Sequence, residues 1–305
     1  MTRDVASSVH QRLLNHARAH GRPFDEVLQY YALDRFLYRL GKSAHRQSFV
    51  LKGALMLSVW QAPVSRPTRD IDLLGYTDNG PERLAAIVRE ICAMEAAEDG
   101  LLFDARSDHA EAILEGANYA GVRVKLLAYL GRARVPIQID VSFGDALVPG
   151  PAAIRLPALL DLEPAELQGY SPESMIAEKM QAMVVLGELN SRTKDFYDLW
   201  LLATRQPFDG PILAEAVRAT FLRRGAPLSA DSILLRQGFP GPRQQEYWLA
   251  FMRRNNLDQP ASLDEAVGVI RSFLSPVLVS LSEGSRFSER WEPPGPWALV
   301  PAPGA

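Results

Sequence analysis

The sequence predicts an α/β fold of the α+β type, in which a mixed-sheet domain at residues 1–160 precedes a helical domain at residues 161–305. Two patterns support this division. Apolar side chains alternate in several segments before residue 145, as they do in half-buried strands. Beyond the Pro/Gly-rich stretch 146–157 the apolar residues recur at helical spacing, so this stretch is the best candidate for the domain boundary.

The first 45 residues predict two helices, and four strands follow them along the chain. The predicted helices, 10–21 and 23–41, both end on a glycine, which is a common helix C-cap. The first strand begins at Ser48 and breaks at Gly53 into a short helix. The remaining strands are predicted at 68–76, 122–130 and 135–143, with a helix at 81–98 and a hairpin-like link at 131–134.

The helical domain is predicted to open at Ser171, a residue type that favours the N-cap, with Pro172 at the first helical position. The helix that starts there extends to Asn190, and a second helix covers residues 191–205. The last 15 residues are rich in proline and glycine, and we expect an extended tail.

The composition excludes several classes of protein. Hydrophobic residues make up 47% of the 305 residues and charged residues 23%, which is typical of globular proteins. The single cysteine, Cys92, excludes an intrachain disulfide and a Cys-rich zinc site, and its amphipathic surroundings predict a buried thiol. Because we find no secretory signal and no apolar stretch of 18 residues, we expect a cytoplasmic protein without a membrane span.

The most informative chemical feature is the pair Asp70 and Asp72, separated by Ile71 in a predicted strand. Residues i and i+2 of a strand point to the same face, so the two carboxylates stand side by side. Like charges this close repel each other unless a cation or a proton lies between them, and Mg²⁺ has the matching preference for oxygen. The simpler alternative is an edge strand with two solvent-facing acids.

Two further features favour phosphate chemistry that depends on a metal. At Gly53 a strand turns directly into a helix, which presents backbone N–H groups to a phosphate. Asp140 is an acid within an otherwise apolar strand, which favours a role in the site. The alternative interpretation is that it lies on the solvent-exposed face of the strand. Three acids on neighbouring strands can hold two metal ions, which activate an attacking hydroxyl and stabilise a pyrophosphate leaving group.

Taken in order, LKGA around Gly53, TRDIDLLG around Asp70, and IDVSFGD around Asp140 resemble the motifs of the DNA polymerase β nucleotidyltransferase superfamily. The later segment SPESMIAEKMQAMVVLGELNSRTKDFYDLW is similar to the lysine motif and the final K-D-x-x-D motif of the AbiEii/AbiGii-type toxin nucleotidyltransferases, which include the mycobacterial MenT toxins. The resemblance covers residues 24–202, and a weaker similarity continues through residues 238–255.

This resemblance implies a polymerase-β-like domain that transfers a nucleoside monophosphate from an NTP to an acceptor hydroxyl. Asp70 and Asp72 match the metal-binding pair of the family and Asp140 matches its third acid, so Mg²⁺, with room for two ions, is the implied cofactor. Gly53 matches the glycine that opens the first motif. Ala54 stands where family members commonly have Gly or Ser, so it offers no hydroxyl to the nucleotide.

The resemblance also implies that Lys179 contacts the nucleotide phosphates, and it places Asp195 and Asp198 in the final motif, where either acid could be the essential one. Independently, Lys179 lies in mid-helix among apolar residues, where a buried ammonium needs anionic partners. Asp195 and Asp198 are three residues apart on the next helix and share a face. They could hold Lys179 in place or orient the incoming hydroxyl, and the alternative is a salt bridge between two helices.

Further candidates flank these motifs. Arg66 and Arg69 lie beside the acidic pair and could reach phosphate oxygens as bidentate donors, as could Lys52 beside the first motif, with a surface role as the alternative. Thr68 precedes the acidic pair by two residues and is expected on the same face. In the MenT-type toxins a hydroxyl residue at this place is phosphorylated through the antitoxin partner, so the resemblance implies a regulatory phosphorylation of Thr68.

The resemblance points to the 3′ end of tRNA as the acceptor, to blocked translation and growth as the result, and to a cognate antitoxin as a partner. The net charge of −3 gives no bulk signal for nucleic acid. A group of arginines near the C-terminus nevertheless offers a phosphate-contacting face. These are Arg218, Arg223, Arg224, Arg236, Arg243, Arg253 and Arg254.

Two alternatives remain open. The first is an enzyme of the same fold that modifies a protein or a small molecule, which a test of salt-sensitive tRNA binding would separate from the tRNA enzyme. The second is a catalytically silent binding module, in which the acids only mediate a contact with a partner. Incubation of labelled NTP with total RNA and Mg²⁺ distinguishes that module from a transferase.

Overall fold

The structure, a computed structural model, describes residues 2–60, 66–96, 99–115, 119–187, 190–228 and 239–299. The chain divides into two compact units. Unit 1 comprises Met1–Asp145 and Ala152–Tyr170, and unit 2 comprises Ala146–Pro151 and Ser171–Ala305. The chain therefore passes from one unit to the other three times. The boundary predicted between residues 160 and 161 falls inside the second segment of unit 1, because that segment returns to the first sheet.

The described part of unit 1 contains helices and one seven-stranded sheet. The helices are α1 (Thr2–Ala19), α2 (Phe24–Lys42), α3 (Met56–Val59) and α4 (Pro81–Cys92), with 3₁₀ turns at Arg46–Ser48 and Gly53–Leu55. The strands are β1 (Phe49–Lys52), β2 (Asp70–Gly75), β3 (Leu101–Glu115), β4 (Tyr119–Leu130), β5 (Ala133–Phe143), β6 (Ala152–Leu156) and β7 (Ala165–Gly169). Their order in the sheet is β3-β4-β5-β2-β1-β7-β6.

The sheet is mixed, as the sequence predicts. Strands β2 and β5 are parallel neighbours, and so are β1 and β7, whereas the other neighbouring pairs are antiparallel. Together with the largely helical unit 2, this sheet confirms the predicted fold class.

One face of the central strands is apolar and faces the helices. Leu73 of β2 and Ile139 of β5 are at most 3% exposed. Phe36 of α2 and Ile87 of α4 line the same apolar space as these two side chains. Because successive residues of a strand point to opposite faces, the neighbours of these apolar residues in the sequence lie on the other face of the sheet. That second face carries the candidate site.

Three strands of unit 1 are not predicted from the sequence. Strand β3 lies at the edge of the sheet and pairs only with β4, and its register shifts between Asp104 and His109. Its many polar residues and the shift interrupt the alternation by which a strand is recognised. Strands β6 and β7 form the other edge.

The helix predicted at 81–98 ends at Cys92, where the N–H of Ala93 bonds to the carbonyl of Arg89, and residues 97 and 98 lie outside the described ranges.

Unit 2 is built from helices and a small sheet. The helices are α5 (Pro172–Leu186), α6 (Thr193–Arg205), α7 (Gly210–Arg223), α8 (Pro242–Arg254) and α9 (Leu263–Ser282). The strands are β8 (Phe208–Asp209), β9 (Glu289–Trp291) and β10 (Trp297–Leu299), in the order β10-β9-β8. The predicted N-cap of α5 is confirmed, since the Ser171 side chain accepts a hydrogen bond from the N–H of Ser174.

The Pro/Gly-rich C-terminal segment is folded as far as Leu299. Trp291 is fully buried and its indole Nε1 donates to the carbonyl of Ala203 at 2.7 Å. The indole of Trp297 donates to the carbonyl of Phe273, also at 2.7 Å. Large aromatic side chains therefore anchor a segment that was expected as a tail, and residues 300–305 lie outside the described part.

Helix α9 bears on the expectation that the chain has no membrane span. A stretch of 18 of its 20 residues has a mean hydropathy of 1.3, so by length and composition the helix could cross a membrane, although no such apolar stretch is predicted above. Val267, Ile270, Leu274 and Val277 on this helix are fully buried within unit 2. A buried core helix has the same composition as a membrane span, so this single helix is weak evidence for a membrane protein.

Candidate active site

Three carboxylates meet on β2 and β5 of unit 1. Asp70 and Asp72 share one face of β2, and the parallel register places Asp72 directly beside Asp140 on β5. One carboxylate oxygen from each of the three side chains lies within 4.8 Å of the other two. Asp140 is 6% exposed, whereas Asp70 and Asp72 are half-buried. Because hard divalent cations prefer several carboxylate oxygens at short range, this donor set fits Mg²⁺ or a similar ion.

Gly53 allows the carboxylate of Asp72 to lie against the backbone. Its φ of +72° is in the left-handed region, which residues with a side chain rarely adopt. A Cβ atom at this position would overlap Oδ2 of Asp72 and lie 2.8 Å from its Cγ. The site therefore requires glycine here for two reasons, backbone conformation and space.

The turn after Gly53 differs from the helix start expected there. A 3₁₀ turn, Gly53–Leu55, is followed by helix α3, which has only four residues. So short a helix has little dipole, and any backbone contact to a phosphate would come from the N–H groups of the turn itself. Ala54 lies half-buried in this turn.

Arg123 of β4 holds the third carboxylate. The antiparallel register of β4 and β5 sets Arg123 opposite Asp140. Its Nε lies 2.8 Å from Oδ1 and its Nη2 lies 2.7 Å from Oδ2, which is a bidentate ion pair. The amide of Gln138 adds a third hydrogen bond to Oδ2 at 3.1 Å. The hydrogen bonds to Asp140 raise the pKa of Arg123.

Two residues around Asp140, Arg123 and Gln138, are not predicted from the sequence. Gln138 could have been found, because it lies two residues before Asp140 and shares its face. Arg123 could not, because its place beside Asp140 depends on the register between β4 and β5, which spacing within one strand does not define.

The structure brings Thr68 to the acidic pair, as its spacing predicts. The Thr68 hydroxyl donates to Oδ1 of Asp70 at 2.8 Å. Arg66 and Arg69 lie on the same approach to β2, where Arg66 is half-buried and Arg69 is exposed. Their contact with phosphates stays a prediction.

Lys52 has a carboxylate partner within unit 1. Its Nζ lies 2.7 Å from Oδ2 of Asp145 and 3.0 Å from Oγ of Ser142. The lysine is 8% exposed, and Ser142 also donates to Asp145. These contacts fix the ammonium on the strand that leads to Gly53, and its proposed contact with nucleotide stays a prediction.

In unit 2 the structure brings Lys179, Asp195 and Asp198 together. Nζ of Lys179 on α5 lies 2.7 Å from Oδ1 of Asp195 and 2.8 Å from Oδ2 of Asp198, both on α6. Both carboxylates are fully buried. Nε of Arg192 lies 2.8 Å from Oδ2 of Asp195 as an ion pair, without the direction of a hydrogen bond. The cluster joins α5 to α6, and its part in catalysis stays a prediction.

The arginines near the C-terminus lie on α7, on α8 and just after α7. Several have partners within unit 2, namely Glu215 for Arg218, Glu178 and Gln181 for Arg224, Tyr247 for Arg243, and the carbonyl of Leu249 for Arg253. Arg223 and Arg254 are exposed, and Arg236 lies outside the described residues.

The sequence of the chain matches a known family of enzymes. A family model of nucleotidyl transferases matches residues 35–269 of the chain. The matched family is the nucleotidyl transferase AbiEii toxin of type IV toxin–antitoxin systems. Because the match spans well over half of the 305 residues, the chain belongs to this family.

Two crystal structures are similar to this chain. JHP933 from Helicobacter pylori has 13% sequence identity and a TM-score of 0.44, and the alignment covers 90% of this chain and 96% of that protein. Another H. pylori protein, assigned as a nucleotidyltransferase, has 14% identity and a TM-score of 0.45, with 88% and 97% covered. None of the curated proteins resembles the chain closely enough to count as a relative.

Proposed function

We propose that this protein is the toxin of a toxin–antitoxin pair and that it transfers nucleoside monophosphates from an NTP to the 3′ end of tRNA. The observation that carries the proposal is the triad of Asp70, Asp72 and Asp140 packed beside Gly53, in a chain of the AbiEii family. The family supports nucleotidyl transfer and a cognate antitoxin. The tRNA acceptor, the cytoplasmic location and the consequent block of translation and growth are the finer parts of the proposal.

In this proposal the acidic pair holds Mg²⁺. Bound there, the ion would neutralise phosphate charge and stabilise the pyrophosphate leaving group. Asp70 and Asp72 point their carboxylates to the same side of β2, so both can bind one ion. Gly53 leaves room for the Asp72 carboxylate. Asp140 is the third acid and Arg123 fixes its orientation.

Lys179 is proposed to contact the nucleotide phosphates. Its two carboxylate partners, Asp195 and Asp198, keep the ammonium charged and fix its position on α5. A charged group that is held in place before the substrate binds needs no reorganisation during the reaction.

An RNA acceptor is supported by the arginines of α7 and α8. Arg223, Arg243 and Arg254 are exposed, and arginine suits phosphate contacts because its guanidinium donates in pairs. We therefore expect the affinity for tRNA to fall as salt rises, since each phosphate contact releases counterions.

The decisive experiment is incubation of the protein with labelled NTP, total RNA and Mg²⁺. We expect label in the tRNA fraction, its loss with EDTA, and its loss in Asp70→Asn. The matched control is Asp161→Asn, which removes an exposed carboxylate of the same unit and should retain activity. Label in a protein or a small molecule instead of tRNA would support the alternative acceptor. Absence of any transfer with every NTP would leave a silent binding module.

Phosphorylation of Thr68 is proposed as the means of control. Its hydroxyl donates to Asp70, so a phosphate there would replace this hydrogen bond with about −1.5 to −2 charges beside two carboxylates. Metal and triphosphate would both bind less well. Intact-mass analysis of the protein produced with and without its genomic neighbour, followed by activity assays, tests this. A phosphorylated and fully active protein would contradict the proposal.

A further inference from the structure

Asp140 is already occupied by hydrogen-bond donors. A carboxylate offers about four acceptor positions to its surroundings. Three donors at 2.7 to 3.1 Å use the two oxygens of Asp140, namely Nε and Nη2 of Arg123 and the amide of Gln138. The residue is also 6% exposed, so little of it faces solvent. About one acceptor position is therefore left, and a metal ion that bound both oxygens of Asp140 would have to displace at least part of this network.

A second acidic residue lies beside Arg123, but the ion pair of Arg123 is with Asp140. Its register partner on β3 is Glu111, whose Oε1 accepts from Lys125 at 3.1 Å. The Arg123 guanidinium instead pairs with Asp140, through both Nε and Nη2. Its side chain is 31% exposed, so the guanidinium can be reached from the solvent side. It is thus bound to the acid of the site and accessible to an anionic substrate.

The charges of these residues match one divalent cation. Asp70, Asp72 and Asp140 carry three negative charges and Arg123 carries one positive charge, so the four residues together carry two negative charges. One Mg²⁺ neutralises them, so a second ion would find no net negative charge at the site unless the nucleotide brought it.

We propose that Arg123 is a positioning residue that withholds Asp140 from the metal, so that the protein without nucleotide binds one divalent ion, through Asp70 and Asp72. Asp140 becomes a ligand only when the nucleotide phosphates, which arginine binds as readily as a carboxylate, take over the guanidinium. The inference rests on the proposed metal-binding role of the acidic pair. In this inference Asp140 joins the metal site only after the substrate has bound.

The test is a titration of the full-length protein with Mn²⁺, followed by electron paramagnetic resonance and without nucleotide. We expect one bound Mn²⁺ per chain. The main variant is the charge-balanced pair Arg123→Gln/Asp140→Asn, which removes the whole ion pair and leaves the net charge of the site unchanged. Its Mn²⁺ affinity should stay within about threefold of the wild type, because Asp140 is not a ligand in the free protein.

Two single variants complete the design. Arg123→Gln should bind Mn²⁺ about tenfold more tightly, since it frees Asp140 and removes a positive charge. Arg134→Gln, an exposed arginine on the same strand pair, is the matched control and should bind as the wild type does. Thermal unfolding of each variant checks that it is folded.

Two outcomes would overturn the inference. If the charge-balanced variant lost as much Mn²⁺ affinity as Asp72→Asn, Asp140 would be a ligand in the free protein and this inference alone would fail. If the wild type bound no Mn²⁺, the proposed metal role of the acidic pair would fail together with it. The number of ions bound by the wild type therefore separates the two failures.

Discussion

Gly53 and Asp72 show how a single backbone position leaves room for a carboxylate of the candidate site. Their spacing in the sequence is enough to identify both residues as candidates, since a strand-ending glycine and a D-x-D strand are local patterns. The sequence does not show that they are in direct contact. That contact follows from the antiparallel pairing of β1 with β2, which is a property of two segments rather than of one.

Gly53→Ala is predicted to abolish transfer and to destabilise the protein by about 2 to 4 kcal/mol, because strain and overlap with Asp72 add together. Urea unfolding and the transfer assay measure the two effects. Gly21→Ala is the matched control, since Gly21 has a φ of +61° and open space around it. It should cost only about 1 to 2 kcal/mol and leave transfer intact. Equal losses in the two variants would contradict the role given to Asp72.

Asp70→Asn is predicted to abolish transfer without weakening the metal-free protein. Removing one of two neighbouring carboxylates relieves repulsion, and the amide can still accept the hydrogen bond from Thr68. The melting temperature without metal should hold or rise. The stabilisation by Mg²⁺, about 2.7 kcal/mol for the wild type at 100 times its Kd, should disappear. A calorimetric scan with and without Mg²⁺ measures both, and a variant that still gains stability from Mg²⁺ would contradict the assignment.

At the scale of elements, the alternation of apolar and polar residues predicts a strand correctly where that strand has one buried face. Strands β2 and β5 follow the predicted boundaries closely because their apolar residues pack under α2 and α4. Strand β3 escapes prediction because an edge strand with a register shift needs no regular apolar face. The short helix α3 is predicted in place, but its length of four residues depends on the turn before it.

Lys179→Met is predicted to destabilise unit 2 by about 3 to 5 kcal/mol, because it leaves two fully buried carboxylates without their main cation. Chemical unfolding measures the loss. The matched control is Lys194→Met on α6, an exposed lysine whose loss should change stability by less than about 0.5 kcal/mol.

A conservative variant of the same lysine tests the nucleotide contact. Lys179→Arg keeps the charge, so it should recover stability better than it recovers transfer, since a planar fork replaces a point charge. If Lys179→Arg restored both fully, the lysine would be an ordinary ion-pair partner between α5 and α6.

At the scale of the whole molecule, the single thiol reports on global unfolding. Burial raises the pKa of Cys92 to about 12. At pH 8 the thiolate fraction would then be about 1 in 10,000, against about one quarter for an exposed cysteine. We predict that a thiol reagent modifies Cys92 slowly in the native protein and at once, with one equivalent, in denaturant. Rapid native modification would show that the α4 region opens locally.

The order of the two parts of the chain, with the sheet first and the helices second, is predictable because the change in apolar periodicity is local. The path by which the chain passes between the two units cannot be predicted in this way. Residues 152–170 return to the sheet through the parallel pairing of β7 with β1, across more than 100 residues of sequence. No local pattern specifies a partner that distant.

This path has a consequence for how such a protein can be divided or inherited. Residues 146–151 belong to unit 2, where Val148 bonds through its carbonyl to the hydroxyls of Ser171 and Ser174. A gene fragment that begins at Ser171 would lack them, and one that ends at Asp145 would lack the edge strands β6 and β7. Neither unit can be exchanged by a single recombination event. A chimaera of two homologues joined at any one point would therefore combine segments from both parents within at least one unit.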